Sequence, residues 1–346
     1  MSLLEVRDLH VWFGLPHGAE LHAVQGVSFL LDAGERFGLV GESGCGKTTS
    51  ILALMGLLPP SASVAGEVLL HGESILAGGE DSVRPHRWND IAMVFQGAMN
   101  ALNPVKRVAW QIAEPMELRG IASGAQARKM ARELLEMVGI PGPAGDRFPH
   151  EFSGGMRQRA AIAMALACQP KILLADEPTT ALDVMVQAQI LELLTRLSDE
   201  LGLALVLVTH DLPVVAQVCE RAAVMYAGEI VETGATETLF HEPSHPYTRL
   251  LFAATPDLYG DENVASIPGV PPRLDREIAG CAFRPRCDSF LDRCEADHPA
   301  LKALSAGHAA ACHLNDLAAD ERAAREGARP LSTANPPITA DAQEAS

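Results

Sequence analysis

An α/β protein with a mostly parallel sheet covered on both faces is the fold class the sequence predicts, and three observations predict it. Short apolar segments, Arg36–Val40, Ile172–Ala175 and Ala204–Thr209, read as buried strands. Helical patterns follow them, from Lys47 to Leu58 and from Val184 to Leu201, with another over Gly154–Ala167. A glycine-rich turn links the first of these strands to the first of these helices.

The remaining elements follow in chain order. Leu4–Leu9 alternates apolar and polar residues, and Val24–Leu31 is a second apolar run closed by the turn Asp32-Ala33-Gly34-Glu35, so an N-terminal antiparallel β region is expected. The first helix stops at Pro59-Pro60. Between about 84 and 149, helical stretches (Val108–Leu118, Ala125–Val138) alternate with Pro and Gly breaks, which predicts a helical insertion. A short helix over Pro213–Cys219 closes the regular alternation. After about Thr255 the chain turns Pro-rich and irregular, a small C-terminal extension, and from about Asn315 it reads as a disordered tail. The expected division is a domain over 1–255 with a helical subdomain at about 97–165, an extension over 256–314, and a tail over 315–346.

Composition bounds the function. The 346 residues carry 27 Lys+Arg against 44 Asp+Glu, a net charge of −17, and are 48% hydrophobic. That describes an ordinary globular chain. The acidic balance opposes a nucleic-acid partner, because phosphate-backbone binding needs clustered cations. Apolar stretches such as Ala160–Cys168 are far shorter than the roughly 20 residues of a membrane-spanning helix, and the N-terminus lacks the basic-then-apolar pattern of a signal peptide. A reducing, cytoplasmic setting is expected, in which seven cysteines do not form a disulfide framework. Cys45, Cys168 and Cys219 are scattered, whereas Cys281, Cys287, Cys294 and Cys312 share one late segment.

Gly41-Glu42-Ser43-Gly44-Cys45-Gly46-Lys47-Thr48 fits G-x-x-x-x-G-K-[ST]. Such a loop curls so that backbone N–H groups face phosphate oxygens, and the helix that follows directs its positive end at the same anion. Lys47 is expected to reach the β- and γ-phosphates and Thr48 to ligate Mg²⁺, with Thr49 beside it in the cofactor-binding set. The apolar strand ending in Asp176-Glu177 delivers two carboxylates to a strand C-terminus, where open α/β sheets bind ligands. Asp176 is the expected Mg²⁺ holder. Glu177 is the expected polariser of the water that attacks the γ-phosphate.

Phe152-Ser153-Gly154-Gly155-Met156-Arg157-Gln158-Arg159 resembles the signature of ABC-type ATPases and lies shortly before the Asp176 strand, where that family places it. The resemblance implies a P-loop NTPase of ABC type in which ATP is sandwiched between two cassettes, Ser153, Gly154 and Gly155 facing the γ-phosphate held by the other one. It assigns Gln96 to Mg²⁺ sensing, Asp183 to the loop that meets the opposite subunit, and His210 to the γ-phosphate. It also implies an adenine-stacking aromatic near the N-terminus, for which Phe13 is chosen over Trp12; strand alternation lets only one of the two serve.

The resemblance continues through His245–Leu251, Ile267–Pro272 and Gly280–Cys287, which look like the C-terminal extension of oligopeptide/dipeptide importers. It implies the energy-coupling ATPase of a peptide uptake system, with nickel or another small solute as the alternative cargo and a soluble non-transport ABC ATPase as the less favoured class. Implied partners are a second, related ATPase subunit, two membrane permeases and, indirectly, a peptide-binding protein, with the chain peripheral on the cytoplasmic face of the inner membrane. Gly97-Ala98 departs from the family, which commonly has an acidic residue and Pro there. The four late cysteines lack the two-to-four-residue knuckle usual for zinc. The resemblance implies a 4Fe–4S cluster on them, with Zn²⁺ as second choice.

Overall fold

The structure, a computed structural model, describes residues 2–97, 101–254, 267–318 and 321. The chain begins with β1 (Leu4–Gly14), β2 (Glu20–Leu31), β3 (Arg36–Val40), α1 (Lys47–Leu54), β4 (Ala62–Leu70) and β5 (Glu73–Ser74). Next come α2 (Glu80–Val83), β6 (Ile91–Val94), α3 (Val108–Leu118), α4 (Gly124–Met137) and α5 (Gly154–Ala165). The rest is β7 (Ile172–Asp176), α6 (Val184–Leu201), β8 (Ala204–Thr209), α7 (Leu212–Val218), β9 (Arg221–Tyr226), β10 (Glu229–Ala235), α8 (Thr236–His241), α9 (Pro246–Ala253), β11 (Lys302–Ser305) and β12 (His308–Ala310).

Two sheets result. β2-β1-β4-β5 is antiparallel, and the main sheet runs β11-β12-β10-β9-β3-β8-β7-β6, parallel from β9 to β6. Alternation along the parallel strands explains why they are apolar throughout. In β8, Ala204, Val206 and Val208 pack with the N-terminal sheet and α1, whereas Leu205 and Leu207 join the helical side. β7 divides likewise, Ile172 and Leu174 against Leu173 and Ala175. A strand wetted on neither face carries no polar alternation.

Several boundaries differ from the expectation. α1 stops at Leu54 rather than Leu58, because Gly56 N–H bonds Ala53 and Leu57 N–H bonds Leu52, a Schellman closure. The stretch expected to be a helical insertion from 84 contains β6, which extends the parallel sheet beside β7. The helical unit proper is α3 and α4 with α5, closed over Ile112, Met116, Ala131 and Leu135. The irregular extension contributes β11 and β12, and β12 adds to the main sheet through Glu232↔Ala310 and Thr233↔Ala309. At the start of the expected tail, residues His313–Asp316 form a 3-10 turn, with Asp316 paired to Lys302 at 2.6 Å; 319–320 and 322–346 lie outside the described residues. Among the described residues, no helix is long and apolar enough to cross a membrane.

Candidate nucleotide site and its family

The register of the parallel strands builds the site. Val40 lies beside Thr209, Asp176 beside Val208, and Val94 beside Ala175. The loops after β3, β6, β7 and β8 therefore leave the sheet along one edge, and each carries a predicted group: Lys47, Gln96, Glu177 and His210.

The phosphate loop is closely cradled. Gly46 has φ +105°, and a Cβ there would stand 2.6 Å from the Ala23 carbonyl, so only glycine fits. Lys47 is 5% exposed; its Nζ donates to the carbonyls of Gly41 (2.7 Å) and Glu42 (3.0 Å) and lies 3.7 Å from Cys45 Sγ. Ser43, Gly44, Gly46, Lys47, Thr48 and Thr49 line a cavity of ≈ 440 Å³ with Phe13, Gln96 and Glu177. Gly41, Glu42 and Cys45 are not among its lining residues. Cys45 packs into the core, where burial raises its thiol pKa, and the Glu42 side chain reaches Arg286.

At the carboxylate end, the Thr48 hydroxyl donates to Asp176 Oδ1 at 3.0 Å. Asp176 is 2% exposed, and burial, with Glu177 adjacent, raises its pKa above the ordinary carboxylate value against the Thr48 bond and Lys47. Oxygen donors in a buried position with a second carboxylate adjacent suit Mg²⁺, whose charge would offset the cost of ionising Asp176 there. Glu177 is gathered differently. Gln96 Nε2 donates to its Oε2 at 2.8 Å, Thr180 Oγ1 at 2.9 Å, and His210 Nδ1 lies 3.1 Å from Oε1. Burial pushes the Glu177 pKa up, yet the His210 and Thr180 bonds outweigh it, so the carboxylate titrates below its usual range. Glu177 (φ +42°) and Ala181 (φ +65°) are non-glycine residues in the left-handed region, strain of a kind that gathers at functional loops.

Ser153, Gly154 and Gly155 do not line this cavity. Ser153 is exposed, and its Oγ accepts from Met156 N–H at 3.3 Å to cap α5. Gly155 is required by packing, because a Cβ there would meet Val186 Cγ1 of α6 at 2.7 Å. The arginines that follow fasten the segment: Arg157 Nε donates to the Pro149 carbonyl and Arg159 Nη1 to that of Val138. Asp183 Oδ1 caps α6 through Val186 N–H. Of the two rival aromatics, Phe13 lines the cavity while Trp12 stacks on His22 at 4.6 Å. Gly97 is described; Ala98 lies outside the described residues.

Sequence reasoning gave no role to Pro272 and Leu274, which line the same cavity from the extension, nor to Thr180, Tyr247 or Arg286. Thr180 had a nearby signal in its place three residues after Glu177, and Tyr247, Pro272 and Arg286 lie inside the strings that carry the importer resemblance, which marked the segments without assigning those side chains a role.

The four late cysteines lie within one another's electrostatic reach. Burial, with these neighbours adding to it, pushes the Cys287 and Cys312 thiols up to about 12 and raises Cys281. However, among the described residues no group of three or more His, Cys, Asp or Glu is arranged to hold a metal ion. The expected 4Fe–4S ligand set is thus not assembled among the described residues, nor is the zinc alternative; Cys281 and Cys287 pack against the core that holds Phe283.

Comparison with known proteins places the sequence and the fold in one family. The ABC transporter family model covers residues 24–180, and that of the oligopeptide/dipeptide transporter C-terminal region covers 231–294. The chain is 45% identical to the dipeptide transport ATP-binding protein DppD of Escherichia coli, over 90% of this chain and 97% of that one. The chain belongs to the ATP-binding subunits of peptide ABC transporters. Within this family it is 49% identical to the oligopeptide transport ATP-binding protein OppD of Bacillus subtilis, over 81% of this chain and 80% of that one. Among solved structures, the ABC cassette MJ0796, in a dimeric post-hydrolysis state with ADP and phosphate, superposes with a TM-score of 0.60 at 31% identity, covering 67% of this chain and 98% of that one.

Proposed function

We propose that this chain, an ATP-hydrolysing, energy-coupling subunit of a peptide importer, works as one half of an ATP sandwich. The observation that carries the reading is the convergence of Gln96, Thr180 and His210 on the Glu177 carboxylate, beside the Thr48–Asp176 pair. Three donors fix the carboxylate and keep it ionised, as a general base needs to be. Lys47 and the loop N–H groups hold the β- and γ-phosphates, Thr48, Asp176 and Gln96 supply oxygen ligands to Mg²⁺, and Phe13 stacks on adenine. Mg²⁺ supplies charge neutralisation of the triphosphate. Ser153, Gly154 and Gly155 serve the γ-phosphate of the neighbouring cassette, with Asp183 near the seam; the dimeric MJ0796 structures support that arrangement.

The partners follow from family membership. An importer ATPase acts on membrane permeases, which in turn receive substrate from a binding protein. We take the neighbouring cassette to be a related but distinct ATPase, residues 1–255 to be the cassette and 256–314 its extension. The chain then sits peripherally on the cytoplasmic face of the membrane, and the helical subdomain, linked to the site through Gln96, meets the permeases. The cargo is a di- or oligopeptide, as the names of the relatives support.

The test is Glu177→Gln, which keeps shape and loses the base. Turnover falls on the order of 10²- to 10⁴-fold while ATP binding is retained; undiminished phosphate release would remove Glu177 from its role. We also propose that Cys281, Cys287, Cys294 and Cys312, not arranged around one metal site among the described residues, draw together when a 4Fe–4S cluster is present; the support is four thiols in one small segment, three of which act electrostatically on Cys312. Protein purified without oxygen should be brown and contain iron; a colourless, iron-free preparation would end that assignment.

A further inference from the structure

The phosphate loop is held from behind by the extension. Arg286 is 6% exposed and grips both carboxylate oxygens of Glu42, Nη1 to Oε2 at 2.5 Å and Nη2 to Oε1 at 2.8 Å. Its other donors are also engaged: Nε on the Pro268 carbonyl at 2.8 Å and Nη1 on the Tyr226 hydroxyl at 3.3 Å. Such a planar fork, bonded on every side, allows its partner one position. Glu42 is fixed again through its backbone, whose N–H donates to Tyr247 Oη at 2.8 Å. The restraint passes onward within the loop: the Glu42 carbonyl accepts from Lys47 Nζ at 3.0 Å and from Cys45 N–H at 3.3 Å. One residue thus joins the extension to the lysine that meets phosphate, across 244 positions of sequence.

We propose that Arg286 is a positioning residue of the ATPase: by clamping Glu42 it presets the phosphate loop, so the seating of the extension sets nucleotide affinity. Two further contacts make the seating mechanical. The Leu274 carbonyl accepts from His22 N–H at 3.2 Å, and Arg249 Nη2 bonds both oxygens of Asp288 at 2.6 and 2.8 Å, two residues beyond Arg286. The inference rests on the loop being a nucleotide site.

Calorimetric titration of the full chain with MgATP, together with ATP turnover, tests it. Arg286→Ala is expected to raise the Kd and the KM about tenfold while kcat stays within about twofold, the size of coupling seen between directly bonded side chains. Glu42→Ala should weaken binding to the same degree, and the double variant no further, because both remove one contact. Arg286→Lys, which keeps the charge, should recover part of the loss. Arg284→Ala, an extension arginine paired to Glu295 instead, should bind as the wild type does. If Arg286→Ala does not fold, Glu42→Ala alone decides. An unchanged or tighter Kd in Glu42→Ala, or additive losses in the double variant, would overturn the clamp. A wild-type chain that binds no MgATP would instead overturn the nucleotide-site reading beneath it.

Discussion

The phosphate-loop edge and the N-terminus of α5 are both anion sites by construction, yet they are finished to different degrees. At the loop edge Lys47, Thr48, Asp176, Glu177 and Gln96 already bond one another or the backbone, around a cavity that also holds Phe13. At α5 the exposed Ser153 serves its own helix, and the first-turn N–H groups of Gly154 and Gly155 are of the kind a helix leaves unpaired. On the proposed reading the first region is the pocket for one nucleotide and the second a surface that meets the nucleotide of a neighbouring cassette. The difference teaches what that proposal requires: two half-sites on one chain, facing different nucleotides.

The sharpest way to break that comparison is a charge at the second region. Ser153→Glu should reduce ATP turnover on the order of a hundredfold, since it places a carboxylate where γ-phosphate oxygens are to be met, while the Kd for MgATP of the isolated chain stays within about twofold. Equal loss of both quantities would mean that α5 belongs to the same half-site as Lys47. Next in size is the base end of the cavity. Phe13→Ala should weaken ATP by about tenfold, in keeping with ~1–3 kcal/mol for a base stacked on an aromatic ring, and Trp12→Ala should change little because Trp12 is stacked on His22. The reverse order, read by equilibrium binding, would exchange their roles.

How far these differences were legible in the sequence depended on whether the signal was local. β3, β7 and β8 announce themselves because burial on both faces removes every polar alternation, and the phosphate loop because its chemistry dictates spacing. β6 was hidden, since Ile91–Val94 is only four residues inside a stretch dominated by helix and breakers. β12 was equally hidden: His308–Ala310 is a strand because β10 offers it an edge, and its buried His308 bonds Glu232 at 2.8 Å, 76 residues away. Alternation framed Phe13 and Trp12 as alternatives, but which face held the cavity depended on Pro272 and Leu274, contributed from the far end of the chain. The family resemblance implied four cysteine ligands to one cluster, whereas among the described residues no group of three or more is arranged to hold a metal ion, and Cys281 and Cys287 pack against the core that holds Phe283.

Smaller effects sharpen the scaffold beneath the two regions. Gly155→Ala forces a Cβ to within 2.7 Å of Val186 Cγ1, so the chain should lose about 1–3 kcal/mol in a denaturant titration; an unchanged midpoint would mean that α5 and α6 slide freely. His245, buried beside the Tyr247 that holds Glu42, accepts from Tyr247 N–H, and burial lowers its pKa to about 3. A base with a depressed folded pKa contributes fully above its unfolded value near 6.5, and that contribution is lost as the pH falls toward 3. Unfolding free energy should therefore drop by roughly 1–2 kcal/mol from this residue between pH 7 and 5, and His245→Asn should flatten that part of the profile. A slope that survives the substitution would assign the proton elsewhere.

The most direct measurement is a structure of the Glu177→Gln chain trapped with MgATP, together with the partner cassette if it does not pair with itself. Two nucleotides should lie in the seam, each with Lys47 or its counterpart on one side, and with Ser153 Oγ and the Gly154–Gly155 N–H groups, or their counterparts, within ~3 Å of a γ-phosphate oxygen from the other. Nucleotide bound with the α5 N-terminus turned away from every γ-phosphate, in the same chain and across the seam, would contradict the two half-sites.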